Sequence, residues 1–321
     1  MLKNQQILYA KSALELGSFK KASHAHNISE PAFSRNIANL EDSLGVKLFS
    51  RHSTGVTPTV YGQALEKHGE KILVAVSEFE REIRLLKGLG SGELSVALGP
   101  YPAELSGHRA FAHLIAEHPD LRGEITVSDW HIVEELVVMR KADLGIAELS
   151  VAQKNKHLVV EPLSQHNFVF FCRSEHPLLG KSEIHKDDLS HYPLVLIRLP
   201  ARLSHIFPGK LFPIPNTDYV VPSIEVHEVG ISREIVANSD AVSVAIPYQI
   251  RKELSEGIFS ILPILEPWMV SNYGFIYVKD RALSPVAEKY ISLVKKIEKD
   301  VGKRNLILIE RYLSGKLLID L

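Results

Sequence analysis

A single cysteine, Cys172, among 321 residues rules out a disulfide within the chain and any two-cysteine redox switch in one copy. It lies in the apolar segment FVFFCR, where a thiol behaves as a small buried hydrophobe. No apolar run approaches the roughly 18 residues needed to span a bilayer. The opening MLKNQQILYAK lacks the cationic stretch, apolar run and cleavage site of an export signal, so a cytoplasmic location without membrane contact is expected. Charge of one sign is not in excess, the formal net charge being −1. Low-complexity tracts and internal repeats are missing, which excludes a disordered or solenoid chain. Also missing are the G-x-S-x-G elbow, the P-loop, H-E-x-x-H and paired Cys-x-x-Cys, so nothing positive points to an enzyme or to a cofactor. Fifteen histidines invite a metal reading, but His108, His113 and His118 recur at five-residue steps that turn their rings away from one another on a helix. No metal site is expected.

What is present belongs to an ordinary globular chain: 45% hydrophobic and 23% charged residues, over about twice the usual domain length of roughly 150. Two or three cores are expected. Residues 1–60 carry seven Lys/Arg against four Asp/Glu, so the N-terminus leans towards an anionic partner.

In the N-terminal segment, Ile7, Ala10 and Leu14 share one helical face and Gly17 stops that helix. Ser18 caps a second, short helix from Phe19 to about His26. Ser29 caps a third, with Pro31 tolerated in its first turn. Phe33, Ile37, Leu40 and Leu44 form the apolar stripe of this third helix, leaving Glu30, Ala32, Ser34, Arg35, Asn36 and Asn39 outward. Small residues that permit close approach, amides and hydroxyls, and one Arg suit contact with base edges and phosphates. After Gly45, VKLFSRHSTGVTPT reads as two short strands around a turn. Residues 59–87 form one long helix whose stripe Leu65, His68, Ile72, Ala75, Phe79, Ile83 and Leu86 calls for a partner, most simply the same helix of a second copy. A flexible hinge, Lys87 to Gly92, follows.

Beyond Glu93 strands and helices alternate: GELSVALG, AELSGHRAFAHLIAEH, EITVSD, HIVEELVVMRK and ADLGIAEL, then NFVFFCR, a helix near 186–190, PLVLIR, SIEVHEV, ISREIVAN, AVSVAIP, PYQIRKEL, YGFIYVK and a helix from Ser284 to about Lys299. Such alternation predicts α/β packing with parallel strands. The tail after Val301 repeats apolar residues at Leu306, Ile309, Leu313 and Leu317; it either covers the preceding domain or joins a second copy.

The residue order GSFKKAS, ISEPAFSRNIANLEDSLGVKLFSR and GVTPTVYG resembles the DNA-binding domain of LysR-type transcriptional regulators, and later segments fall where that family has its linker helix and two-part effector domain. The resemblance spans roughly residues 1–300. It implies a winged helix-turn-helix at 1–58, a linker and dimerisation helix at 59–88, a hinge at 89–92 and an effector-binding domain at 93–300, with 301–321 an extension. The effector domain would be an α/β fold of two lobes, 93–162 plus 267–300 and 163–266, resembling type 2 periplasmic binding proteins. It further implies that the third helix enters the major groove of double-stranded promoter DNA through Ser29, Ser34, Arg35, Asn36 and Asn39, with Arg51, His52, Ser53 and Thr54 as the wing. The chain would act as a homodimer, paired into a homotetramer. Glu30 departs from the family's usual Gln, exchanging a donor-acceptor amide for a carboxylate that only accepts and repels phosphate. Ser23 and His26 stand where Ala and Leu are usual, His26 being expected as a satisfied, half-buried side chain, and Pro58 replaces an aliphatic residue.

Ligands of open α/β sheets sit beyond the carboxyl ends of strands. The ends to examine are therefore Gly99-Pro100-Tyr101, Ser128-Asp129-Trp130, Ile197-Arg198 and His227-Glu228. Arg198 is the candidate for an effector carboxylate, or else pairs with Glu225 or Glu228; Tyr101 and Trp130 are candidate walls for an aromatic ligand. A small-molecule effector, an organic carboxylate with an aromatic one among the candidates, is the expectation. An effector-independent DNA-binding protein and an enzyme using the same cleft stay open as alternatives.

Overall fold

The computed structural model describes residues 3–52, 55–86, 92–215, 217–279 and 281–313. The chain divides into two compact units, Met1–Gly90 and Ser91–Leu321.

The first unit runs α1 (Asn4–Leu16), α2 (Phe19–Ala25), α3 (Glu30–Leu44), a hairpin of β1 (Phe49–His52) and β2 (Gly55–Pro58), and α4 (Val60–Leu86). Gly17 ends α1 in the left-handed conformation, φ 60°, and the Ser18 hydroxyl accepts from the Lys21 N–H at 3.3 Å to start α2. The hairpin is pinned to this turn: the Val56 N–H donates to the Gly17 carbonyl at 3.0 Å, and a Cβ on Gly55 would stand 2.4 Å from that oxygen. Tyr9, Ala10, Ala13, Phe19, Phe33, Ile37, Leu40 and Phe49 make the core, with the Phe19 ring edge-on to Phe49.

Leu44, expected in the α3 stripe, is instead 40% exposed. Gly45 breaks the helix immediately after it, and the buried side chain of the last turn is Glu41. The Glu41 carboxylate accepts from the Leu48 and Phe49 N–H groups at 2.9 and 3.3 Å and pairs with Lys47 at 2.8 Å. Ser23 is buried and donates to the Lys20 carbonyl, while His26 is half-buried between Tyr9 and Phe33. Its Nε2 is buried without a partner among the described residues, which corrects the expectation of a satisfied ring.

Thr59 starts α4, its hydroxyl accepting from the Tyr61 and Gly62 N–H groups. Leu65 and Gly69 turn towards α1, and Lys11 of α1 pairs with Glu70. His68, Ile72, Ala75, Phe79 and Ile83 remain exposed along the same helix. The Leu86 side chain and residues 87–91, which hold most of the expected hinge, lie outside the described residues.

In the second unit a five-stranded sheet has the order β4-β3-β5-β15-β6, formed by β3 (Glu93–Leu98), β4 (Arg122–Val127), β5 (Leu144–Glu148), β6 (Leu158–Pro162) and β15 (Tyr273–Val278). One face packs α6 (His108–Glu117) and the N-terminal half of α10 (Pro285–Leu313); the other packs α7 (Trp130–Val138). A short helix α5 (Pro100–Pro102) leads through a wide turn into α6. Strands β3, β4 and β5 are parallel, but β15 runs antiparallel to both β5 and β6. The sheet is therefore mixed, not parallel throughout as expected. The chain's return at β15 comes after a long excursion, and alternation of elements carries no information about direction.

That excursion builds the antiparallel trio β13-β7-β14, from β7 (Val169–Arg173), β13 (Ser243–Ala245) and β14 (Phe259–Ile261), with a parallel pair of β8 (Val195–Leu196) and β12 (Ile224–Glu225) beside it. A further small antiparallel sheet joins β9 (Leu199–Pro200), β10 (Phe212–Pro213) and β11 (Tyr219–Val221). Helices α8 (Val229–Ala237) and α9 (Arg251–Ser255) cover one side. Cys172 is buried in β7.

Helix α10 does not stop near Lys299 but continues to Leu313. Its last turns bury Val301, Asn305 and Leu313, while Leu306, expected in the stripe, is 59% exposed. The four-residue rhythm Val301, Asn305, Ile309, Leu313 is the packed one, and it includes a polar side chain. Asn305 accepts from the Tyr248 N–H at 2.8 Å and donates to His166 Nδ1 at 3.2 Å. His166 Nε2 meets the buried Glu298 carboxylate at 2.6 Å, and the Tyr273 hydroxyl donates to the same oxygen at 3.0 Å. Of the two roles open to the tail, covering its own domain is the one found for residues 301–313; Leu317 lies outside the described residues.

Candidate functional site

Helix α3 splits cleanly into two faces. Phe33, Ile37 and Leu40 are fully buried, so the opposite side must face outward. Ser29, Glu30, Ala32, Arg35 and Asn39 are exposed, and Ser34 and Asn36 half-buried. The Ser29 hydroxyl accepts from the Ala32 N–H at 3.4 Å, and Asn36 donates to the Ala32 carbonyl at 3.0 Å. At 1.5 Å per residue these positions form one polar strip about 15 Å long, a length and width that a major groove admits. Glu30 sits in the first turn, where the helix dipole favours it but a phosphate would not.

In the hairpin, Arg51 and His52 are exposed. The Arg51 guanidinium lies 4.9 Å over the Phe19 ring, and His52 Nε2 approaches Thr57 Oγ1 at 3.1 Å. Ser53 and Thr54 lie outside the described residues. No residue of α2 was named as a DNA contact from the sequence, yet Lys20 and Lys21 are exposed at its start. Their signal was the Lys-Lys pair after the capping Ser18.

In the second unit the strand ends converge on a cavity of about 850 Å³ counted out to its mouth. Of the expected residues, Pro100, Tyr101, Trp130 and Arg198 line it; Ser128 and Glu228 line an adjoining crevice instead. Sequence reasoning missed most of the wall: Phe168, Leu203, Phe207, Trp268 and Met269, together with Glu148 and Arg202. Apart from Glu148, which ends β5, these sit in segments without a strand-end signature.

The charged groups here are mutually engaged. Arg198 meets Glu225 at 2.8 and 2.9 Å and Asp129 at 3.2 Å, with its guanidinium 4.3 Å over the Tyr219 ring. Of the two pairings weighed for it, Glu225 is the partner found rather than Glu228. Arg202 pairs with Glu148 at 3.3 Å. Asp129, Glu225 and His227 bring ligand atoms within 4.8 Å of one another, but Arg198 already supplies the positive charge between the two carboxylates, and we assign no ion to them. Burial, aided by Arg198 and opposed by Asp129 and Glu135, holds the His131 imidazole below its ordinary pKa. Burial raises the pKa of the Tyr101 phenol, whose hydroxyl donates to the Val244 carbonyl at 3.4 Å, so it stays protonated.

Two family models match the chain: "Bacterial regulatory helix-turn-helix protein, lysR family" over residues 5–63 and "LysR substrate binding domain" over residues 87–297. Among curated proteins it is 30% identical over 296 residues to the "SDS degradation transcriptional activation protein" of Pseudomonas sp. (strain ATCC 19151), covering 90% of this chain and 94% of the relative. It is 29% identical over 280 residues to the "HTH-type transcriptional regulator GbpR" of Azospirillum brasilense, covering 86% and 80%. Among solved structures, CbnR, described as a LysR family transcriptional regulator, aligns with TM-score 0.61 at 16% identity over 93% of this chain and 100% of that one. CbnR complexed with its target DNA gives 0.60 at 16% identity over 92% and 100%. At such identities these two structures establish the fold alone.

Proposed function

The chain belongs to the LysR family of DNA-binding transcriptional regulators modulated by a small-molecule effector, and on that premise we propose which of its residues carry each role. The strip Ser29, Glu30, Ala32, Ser34, Arg35, Asn36 and Asn39 enters the major groove of duplex DNA. Arg51 and His52 lie on the flanking backbone. Lys20 and Lys21 add phosphate contacts from α2. The observation that supports this reading is the division of α3, which packs its apolar stripe fully and leaves a strip of short polar side chains with one Arg outward.

The exposed stripe Ile72, Phe79 and Ile83 pairs with its counterpart in a second copy, which presents two recognition helices together. Pairs of dimers form the tetramer. The cavity beside Tyr101 and Trp130 receives the effector, which changes the arrangement of the subunits by binding two arrangements with different affinity. The protein works in the cytoplasm and binds rather than converts its ligand. Residues 1–58, 59–88 and 93–300 then divide into reader, linker and sensor, with 301–313 bracing the sensor.

Fluorescence anisotropy on a fragment of the chain's own promoter region tests the DNA reading. Arg35→Ala and Asn39→Ala are each expected to weaken specific binding by about tenfold or more, the range of one base contact worth about 1–3 kcal/mol. Unchanged affinity in both variants counts against α3 as the reader.

A further inference from the structure

We propose that the effector is an uncharged amphiphile, a molecule with an alkyl or arylalkyl body and one terminal oxygen, rather than a carboxylate clamped by Arg198. The inference deepens the regulator reading and rests on the cavity being its effector site. Three observations carry it.

The first is the wall. Tyr101, Phe168, Leu203, Phe207, Trp268 and Met269 surround the cavity from several elements, so the bulk of any occupant meets carbon.

The second is charge. The two arginines on the wall, Arg198 and Arg202, are both held by carboxylates: Arg198 by Glu225 and Asp129, Arg202 by Glu148. Three carboxylates face two guanidinium groups. An entering carboxylate would add a fourth negative charge to these two cations, or displace one of the three and leave it short of its ion pair at low exposure, and either is disfavoured out of water. A neutral ligand avoids that exchange.

The third is an unused donor. Trp130 lines the cavity, is 8% exposed, and its indole N–H is buried with no acceptor among the described residues. A buried N–H without a partner is a standing cost, and a small turn of the ring towards the cavity would let a ligand oxygen relieve it.

The test is isothermal calorimetry on the full-length chain with a homologous series of primary alcohols, butanol through decanol, beside the carboxylates of equal length and benzoate. The expected result is that each added methylene tightens alcohol binding about fourfold until the cavity is full. Carboxylates of equal length should bind at least about tenfold more weakly. Trp130→Phe, which keeps the ring and removes the N–H, should weaken alcohols by roughly two- to tenfold. Leu203→Trp, which narrows the cavity, should make the gain stop at a shorter chain.

No binding by any alcohol, no gain with chain length, or tighter binding of carboxylates that Arg198→Ala abolishes would overturn the proposal. Promoter binding measured on the same preparation separates this failure from failure of the regulator reading. Alcohols that bind as expected without altering the footprint sink the site's regulatory role. A footprint that responds to benzoate while alcohols stay silent sinks only the ligand class.

Discussion

Glu41 concentrates three effects in one side chain. Burial pushes its carboxyl pKa up, but the hydrogen bonds from Lys47 and from the Leu48 and Phe49 N–H groups outweigh burial and hold it below the ordinary value. A depressed folded-state pKa means stability that is fully present above the unfolded value of about 4.3 and is lost as pH falls through the lower folded value. Acid unfolding of the first unit should therefore begin near pH 4, and Glu41→Ala, which strands two N–H groups, should cost about 1–3 kcal/mol at neutral pH while flattening the acid limb. Chemical denaturation across pH reads both; an unchanged acid limb in the variant contradicts the role. A Glu in an amphipathic helix ordinarily reads as a solvated face, and its partners lie seven and eight residues on, beyond a turn, so this residue was not legible. Glu30 was, because it breaks a pattern at an exposed position of the recognition strip. Glu30→Gln removes a negative charge facing phosphate, and we expect severalfold tighter promoter binding with an altered base preference at the facing pair. A gel-shift series with no change in either would dismiss it. Arg198 was legible as a strand-end cation and Glu225 as one of the partners weighed for it, but Asp129 as a second partner was not, since it lies some seventy residues away in sequence.

Among elements, α3 and α4 were read from their apolar spacing because each is long enough for a helical period to show. The two faces of α4 needed the structure: Leu65 and Gly69 belong to the core beside α1, whereas Phe79, 64% exposed, does not. Substituting Phe79→Asp places a charge on the proposed seam and touches no core contact of the single chain. Sedimentation should show dissociation of the dimer with unfolding thermodynamics of the first unit unchanged, and operator affinity should fall with it. A variant that stays dimeric moves the seam elsewhere. The end of α10 misled the periodicity because its packed row contains Asn305, a polar residue that satisfies the Tyr248 N–H and His166 at once. An apolar spacing passes over such positions, and Leu306, which it includes, lies outside the row that packs on the domain.

For the molecule as a whole, the alternation of strands and helices was enough to separate an N-terminal helical unit from a larger α/β one. Strand direction and order were not available, because β15 and β6 pair across more than a hundred residues and the short strands β8 to β12 carry too few side chains to show a period of two. The cavity suffered similarly: strand ends pointed to Pro100, Tyr101, Trp130 and Arg198, while the apolar wall came from loops whose convergence depends on tertiary packing. A regulator built this way reads DNA only if the polar strips of two copies meet two half-sites together. The direct measurement is DNase footprinting of the promoter fragment joined to a salt titration of affinity. The account predicts two protected half-sites about one helical turn or a small multiple apart, with affinity falling linearly in logarithmic salt. A protein that remains monomeric and shows no salt-sensitive protection of any promoter fragment would contradict it.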